Sequence, residues 1–240
     1  MPTDRRNLVW RAAELLAAAA GVPADASLQI DKSIPAAAGL AGGSADAAAA
    51  LVALDALWST RASRADLLDL AAQLGSDVPF SLVGGVALGM GRGEQVTPVL
   101  SRTRWDWVLG IAGEGLSTPA VYGELDRMRA AGRAPDDGSL DVEPVLAALR
   151  SGPTTALAPA LANDLQAPAL ALRPTLGRAL RAATEAGAVA AILSGSGPTV
   201  AALTGNEQDA HRLAAELAGA GVFRTVRAVH GPVPGARLVA

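Results

Sequence analysis

Three short stretches hold the residue types from which chemistry is built. "GSDVPF" at 75–80 sets a carboxylate, Asp77, between a glycine turn and Pro79. An aspartate so placed has two uses. Its side chain can cap the turn before the proline, or it can take the proton of a hydroxyl whose oxygen is attacking. "IPAAAGLAGGSADAAAAL" at 34–51 brings Gly39, Gly42 and Gly43 to the head of an alanine-rich segment of helical character. A helix N-terminus exposes unpaired N–H groups carrying about half a positive charge, and glycines let an anion approach the backbone without a Cβ in the way. The same glycines could simply turn the chain. "LSGSGPTVAAL" at 193–203 reads as a hairpin, with Gly195 and Gly197 free to take positive φ and Pro198 closing the turn.

The glycine loop is neither of the two common nucleotide signatures. Ser44, Ala45 and Asp46 follow Gly43 where the P-loop requires a lysine and a hydroxyl, and no G-x-G-x-x-G is present. Ser44 reads equally as the helix N-cap and as a ligand for phosphate or a cation, since its hydroxyl and its backbone N–H are separate groups. Asp46 falls in the first helical turn, where a carboxylate suits the dipole but repels a triphosphate, so it is assigned to capping.

These stretches need elements to hold them. Apolar spacing predicts a helix over about 8–20, stopped by Gly21 and Pro23. "SLQIDKSI" alternates through Leu28 and Ile30 as a strand would, so strand, glycine loop and helix should meet there. Ser63 stands three residues before Asp66 as in a capping box, and Gly75 ends the helix that follows. Residues 76–99 read as a turn leading into strands, and "WDWVLGIA" from Trp105 as a further strand. "PAVYGELDRMRAAG" reads as a helix and "RAPDDGSLD" as a polar loop. The last third reads helix (174–186), strand (188–194), strand (198–204), helix (206–219), strand (222–229). That order suits an antiparallel sheet backed by helices in the ferredoxin-like manner.

Composition narrows the function classes. The 240 residues are 50% apolar with a formal net charge of −3, enough for real cores and no broad basic field for nucleic acid. There is no cysteine, which excludes disulfides, thiolate zinc sites and a cysteine nucleophile, and two histidines do not make a histidine-rich metal centre. Neither a signal peptide nor a span long and apolar enough for a bilayer is seen, and the expectation is a soluble cytoplasmic protein with no membrane partner.

Taken together, the three stretches resemble the GHMP kinases, and the similarity extends through "RRNLVWRAAELL", "GGVALGMGRGE", "LSTPAVYGELD", "NDLQ" and "GPVPGAR". The resemblance implies an α+β fold of two domains: a ribosomal-protein-S5-like domain over 1–104 and a ferredoxin-like αββαβ domain over 105–240. It implies phosphorylation of the 2-hydroxyl of 4-diphosphocytidyl-2-C-methyl-D-erythritol in non-mevalonate isoprenoid synthesis, with ATP and Mg2+ and a monomer or weak homodimer. Another GHMP kinase acting on a different alcohol, or an inactive nucleotide-binding fragment, is the alternative. Asp77 matches the family's catalytic base. The ATP loop falls on Pro35, Ala36, Ala37, Ala38, Gly39, Leu40, Ala41, Gly42, Gly43, Ser44 and Ala45, with Ser44 also the metal ligand. Substrate contacts fall on Thr118, Tyr122, Gly195, Ser196 and Gly197, with Tyr122 either stacking on cytosine or packed in the core. Ala41 and Ala45 stand where the family's loop has glycine and serine. Family members begin some sixty to seventy residues earlier, with a Lys–Asn segment and a Gly–Tyr–His block, so the first domain is expected to be truncated.

Overall fold

The computed structural model describes residues 1–35, 38–113, 115–134 and 141–239. Contacts divide the chain into two compact units, one of Met1–Ala36, Ala41–Val99 and Pro232–Ala240, the other of Ala37–Leu40 and Leu100–Gly231. Among the described residues, no helix is long and apolar enough to cross a membrane.

Helices dominate the first unit. α1 (Leu8–Ala20) starts where the Asn7 side chain accepts the Val9 N–H and stops at Gly21, whose φ of 66° is the left-handed conformation glycine takes without strain. α2 (Gly42–Trp58) and α3 (Arg64–Leu74) follow. The predicted capping box is present: Ser63 Oγ accepts the Asp66 N–H at 3.1 Å, and Asp66 returns the bond to the Ser63 N–H at 2.9 Å. Those bonds from Ser63 hold the Asp66 carboxyl below its usual range. α4 (Val78–Val83) is a single short helix. β1 (Ala87–Met90) and β2 (Gln95–Pro98) form an antiparallel hairpin. Leu16, Leu51, Leu54 and Val78 are fully buried in one core with Ala12, Ala47, Ala48 and Ala71. The alanine richness therefore has a use, since small side chains at the crossings let the helix axes approach. The C-terminal segment closes this unit by passing beside the end of α4, where the Gly85 N–H meets Val233 O at 2.8 Å and the Ala236 N–H meets Ser81 O at 2.9 Å.

Two expectations fail here. The "SLQIDKSI" segment is not a strand: no described strand pairs with it, so alternation of Leu28 and Ile30 is left without the backbone ladder that would make it β. The stretch after Asp77 is not a turn running straight into strands but enters α4, because Pro79 sits in its first turn with a φ already suited to helix.

α2 begins differently from its sequence reading. The helix starts at Gly42, two residues before Ser44, and its N-cap is Ala41 at φ 49°, with no side-chain cap bond. Ser44 is the third helical residue, and Asp46 does not cap. Instead the Lys32 ammonium donates to Gly42 O at 2.7 Å and to Asp46 Oδ2 at 2.5 Å. Lys32, the only lysine in the chain, thus ties the segment before the glycine loop to the first turns of α2. Gly42 is required by packing, since an added Cβ would lie 2.8 Å from Ile34 Cγ2 and 3.0 Å from Lys32 Nζ.

The second unit is built on one four-stranded antiparallel sheet. Its strands are β3 (Trp105–Ile111), β4 (Ala190–Leu193), β5 (Thr199–Leu203) and β6 (Thr225–Gly231), in the order β4-β5-β3-β6. The first strand lies between the third and fourth with the second at the edge, which is the ferredoxin-like arrangement expected. Between β3 and β4 run α5 (Thr118–Ala130), α6 (Glu143–Ser151), α7 (Thr154–Leu157), α8 (Gln166–Leu172) and α9 (Thr175–Glu185). α10 (Glu207–Gly219) joins β5 to β6. Val108, Val200 and Ala202 from the sheet pack with Val121, Leu176, Leu213 and Leu217 from the helices. Most of the expected "RAPDDGSLD" loop, at 135–140, lies outside the described residues.

The side chains of Lys32 and Asp46 are only 23% and 16% exposed, so their pair falls between a surface ion pair and a buried one. Lys32→Met should lower unfolding stability by about 2 kcal/mol, chiefly because the Asp46 carboxylate is left unpaired. The double variant Lys32→Met, Asp46→Leu should recover more than half of that loss in urea denaturation. Equal losses in the two would show that the pair does not hold the start of α2.

Candidate functional site

Asp77 stands at the N-terminus of α4 with backbone angles of −89° and −7°, already helical, and its side chain makes no capping bond. An N-cap side chain reaches the N–H groups of the first turn from extended backbone, and Pro79 has no N–H to offer. The carboxylate is exposed, and no partner for it is found among the described residues. Its backbone is fixed all the same, as Asp77 O accepts both the Ser81 N–H at 3.1 Å and the Ser81 hydroxyl at 2.9 Å. Beneath it, Val78 is fully buried in the core that holds Ala47, Ala48 and Leu51 of α2. The fold therefore presents an exposed carboxylate on a rigid base.

The glycine loop divides between two environments. At the start of α2, the first N–H groups of Gly42, Gly43 and Ser44 have no side-chain cap. Gly43 is exposed, and the Ser44 hydroxyl has no partner among the described residues. That end of the helix suits an anion. Upstream, Ala38 and Gly39 belong to the second unit. Ala38 O accepts the buried Thr199 hydroxyl at 2.5 Å, and Gly39 O accepts the Ser194 hydroxyl at 2.8 Å. Gly39 has φ 72°, and a Cβ there would sit 2.7 Å from Gly197 O and 2.8 Å from Ser194 O. No side chain fits at that approach.

Within the second unit, several of the residues singled out for substrate meet. The turn of Gly195, Ser196 and Gly197 carries left-handed φ at both glycines, and Ser196 Oγ lies 2.9 Å from Thr118 Oγ1 at the head of α5. Tyr122 stands one turn further along α5 and is 52% exposed, so its ring is not a core residue. Pro35 is exposed, Leu40, Ala41 and Ala45 are half-buried, and Ala36 and Ala37 lie outside the described residues. For Mg2+, no group of three or more acidic, histidine or cysteine side chains is found among the described residues. The donors fit a cation held mainly by nucleotide oxygens with one hydroxyl, Ser44, at the helix start.

Sequence reasoning gave no role to Lys32 in the first unit, or to Asn163, Gln166, Ser194 and Thr199 in the second. Lys32 stands out as the only lysine, just before the loop, but its type alone does not name Asp46 as its partner. Asn163 and Gln166 lie in "NDLQ", which carries no spacing signal of its own because their partners are some thirty residues away.

Comparison with known proteins agrees with this architecture. Residues 7–85 match the model of the GHMP kinases N terminal domain, and residues 145–222 match GHMP kinases C terminal. The 4-diphosphocytidyl-2-C-methyl-D-erythritol kinase of Mycobacterium tuberculosis (strain ATCC 25618 / H37Rv) is 58% identical over 239 residues, covering 100% of this chain and 74% of its own length. The enzyme of the same name from Rhodococcus jostii (strain RHA1) is also 58% identical, with 76% of its length covered. A crystal structure of 4-(cytidine 5'-diphospho)-2C-methyl-D-erythritol kinase superposes with a TM-score of 0.78 at 34% identity, over 96% of this chain and 80% of that one. A homoserine kinase from Cytophaga hutchinsonii shares the fold alone, at TM-score 0.73 and 19% identity over 98% of this chain and 79% of that one. With its glycine loop, its Asp77 turn and its hydroxyl-bearing hairpin set on this frame, the chain belongs to the GHMP kinases, in the branch of the 4-diphosphocytidyl-2-C-methyl-D-erythritol kinases.

Proposed function

We propose that this chain transfers the γ-phosphoryl group of ATP to the 2-hydroxyl of 4-diphosphocytidyl-2-C-methyl-D-erythritol. The observation that carries the reading is the 58% identity, spanning the whole chain, to kinases of that name. Phosphoryl transfer asks little covalent chemistry of a protein and much positioning and charge compensation. In this reading the N–H groups at the start of α2 take the phosphates, and the Ser44 hydroxyl contributes to the Mg2+ shell. When bound, the ion would supply charge neutralisation for the transferring group. Asp77 orients the acceptor hydroxyl and takes its proton as the new O–P bond forms. Its freedom from any capping role supports that assignment. From the second unit, Thr118, Ser196 and the neighbouring Gly195 and Gly197 are assigned to the substrate, and the exposed Tyr122 ring to stacking on its cytosine.

The test is ADP release with ATP, magnesium and the diphosphocytidyl alcohol, beside homoserine and mevalonate as competing alcohols. Turnover confined to the cytidine-bearing alcohol is the expected result, and equal turnover of a plain alcohol would overturn the substrate assignment. Asp77→Asn should lower kcat by about 10² to 10⁴ with folding intact, as expected for loss of a positioned base. A variant retaining more than half of the wild-type rate would remove Asp77 from the chemistry. Gly39→Ala puts a Cβ against two carbonyl oxygens and strains a left-handed residue, so the loop must shift. Its KM for ATP should rise about tenfold, with the KM for the alcohol changed much less, in steady-state titrations of each substrate.

A further inference from the structure

β4 is an edge strand, paired on one side with β5 and on the other with no strand among the described residues. At its last residue the open side is nevertheless closed. The Leu193 N–H donates to Gln166 Oε1 at 2.9 Å, and Leu193 O accepts from Asn163 Nδ2 at 2.8 Å. The same Nδ2 donates its second hydrogen to Gly195 O at 2.9 Å, while Asn163 Oδ1 accepts the Leu165 N–H at 2.9 Å. Two side chains thus make the bonds that a neighbouring strand would make, and one of them reaches past the strand end to seize the glycine turn. That turn is where Ser194 and Thr199 hold the carbonyls of Gly39 and Ala38.

We infer that Asn163 and Gln166 are positioning residues for the glycine loop, acting through the 193–199 turn: Asn163 fixes the Gly195 carbonyl, and so aims the hydroxyls that fix Ala38 and Gly39. The inference rests on the proposed function for its catalytic meaning and on hydrogen bonds alone for its structural one. The amide of Asn163 is required as a donor. Both of its hydrogens go to carbonyl oxygens, so a carboxylate of the same shape would face two acceptors and repel them. Gln166 is required only as an acceptor in this clamp, and a carboxylate serves Leu193 as well as an amide oxygen does. The two isosteric changes therefore have opposite expected outcomes.

The experiment compares Asn163→Asp and Gln166→Glu in the full chain. Amide hydrogen exchange is followed in peptides covering 38–41 and 193–199, with KM and kcat measured beside it. Asn163→Asp should exchange at least tenfold faster in both peptides and show a KM for ATP raised about tenfold. Its KM for the alcohol should stay within about threefold of wild type, and Gln166→Glu should match wild type in every readout. A structural role without positioning would lower the melting temperature of Asn163→Asp and leave KM for ATP unmoved at temperatures well below melting. That result, or unchanged exchange at 38–41, or equal damage from Gln166→Glu, would overturn the inference. Exchange is read without substrate, so the expected contrast in a chain that fails to phosphorylate the alcohol would count for the clamp and against the proposed function alone.

Discussion

Two backbone carbonyls in a glycine loop decide much of this molecule. Ala38 and Gly39 face residues more than 150 positions away in sequence, where Thr199 and Ser194 present hydroxyls to them. A buried carbonyl without a partner costs about 1 to 3 kcal/mol, so each hydroxyl is needed once the loop is packed there. The approach is close enough that Gly39 can carry no side chain. The requirement spreads outward from that point. Ser194 and Thr199 need a tight turn between β4 and β5, the turn needs left-handed glycines, and the edge strand leading into it needs Asn163 and Gln166 to close its open side.

Asp77 shows the converse arrangement, a polar group without a partner among the described residues. Aspartate at a helix start normally satisfies the first-turn N–H groups and stabilises the helix by about 1 kcal/mol. Here helical backbone angles at Asp77 itself, with Pro79 two residues on, deny it that use. The stability of α4 comes instead from Val78, Pro79 and Leu82, all buried, and from the C-terminal segment that passes beside Gly84. An Asp-Val-Pro order is thus a poor cap and a good way to offer a carboxylate outward. Local consistency gives way at the residue assigned to the chemistry, which is where such departures are expected.

Legibility in the sequence follows the range of the forces involved. α1 and the capping box of α3 rest on bonds within a few residues, so Gly21, Ser63 and Asp66 announce them. The α-β-β-α-β order of the second unit is equally readable, since apolar runs and the Gly195–Pro198 turn mark each change of element. The SLQIDKSI stretch is misread because alternation states only that a strand would be half-buried, whereas a strand also needs a neighbour. The N-cap reading of Ser44 fails because a hydroxyl before an apolar run is the usual helix start, and nothing in the sequence says that Ala41 takes the left-handed conformation instead. The C-terminal return of Pro232–Ala240 to the first unit, and the clamp from Asn163, depend on contacts that no local pattern encodes.

Ala41 joins these threads at the mouth of the glycine loop. It holds φ 49°, a conformation that costs an alanine about 1 kcal/mol or more. Something must oppose the relaxation of that residue toward ordinary angles. On the helical side the opposing contact is Lys32, whose ammonium takes Gly42 O and Asp46 together, so the first turns of α2 cannot unwind toward Ala41 without breaking a half-buried ion pair. The alanines and glycines remove bulk from the start of α2, while the hold on its first turns comes from a residue that is neither, the lysine.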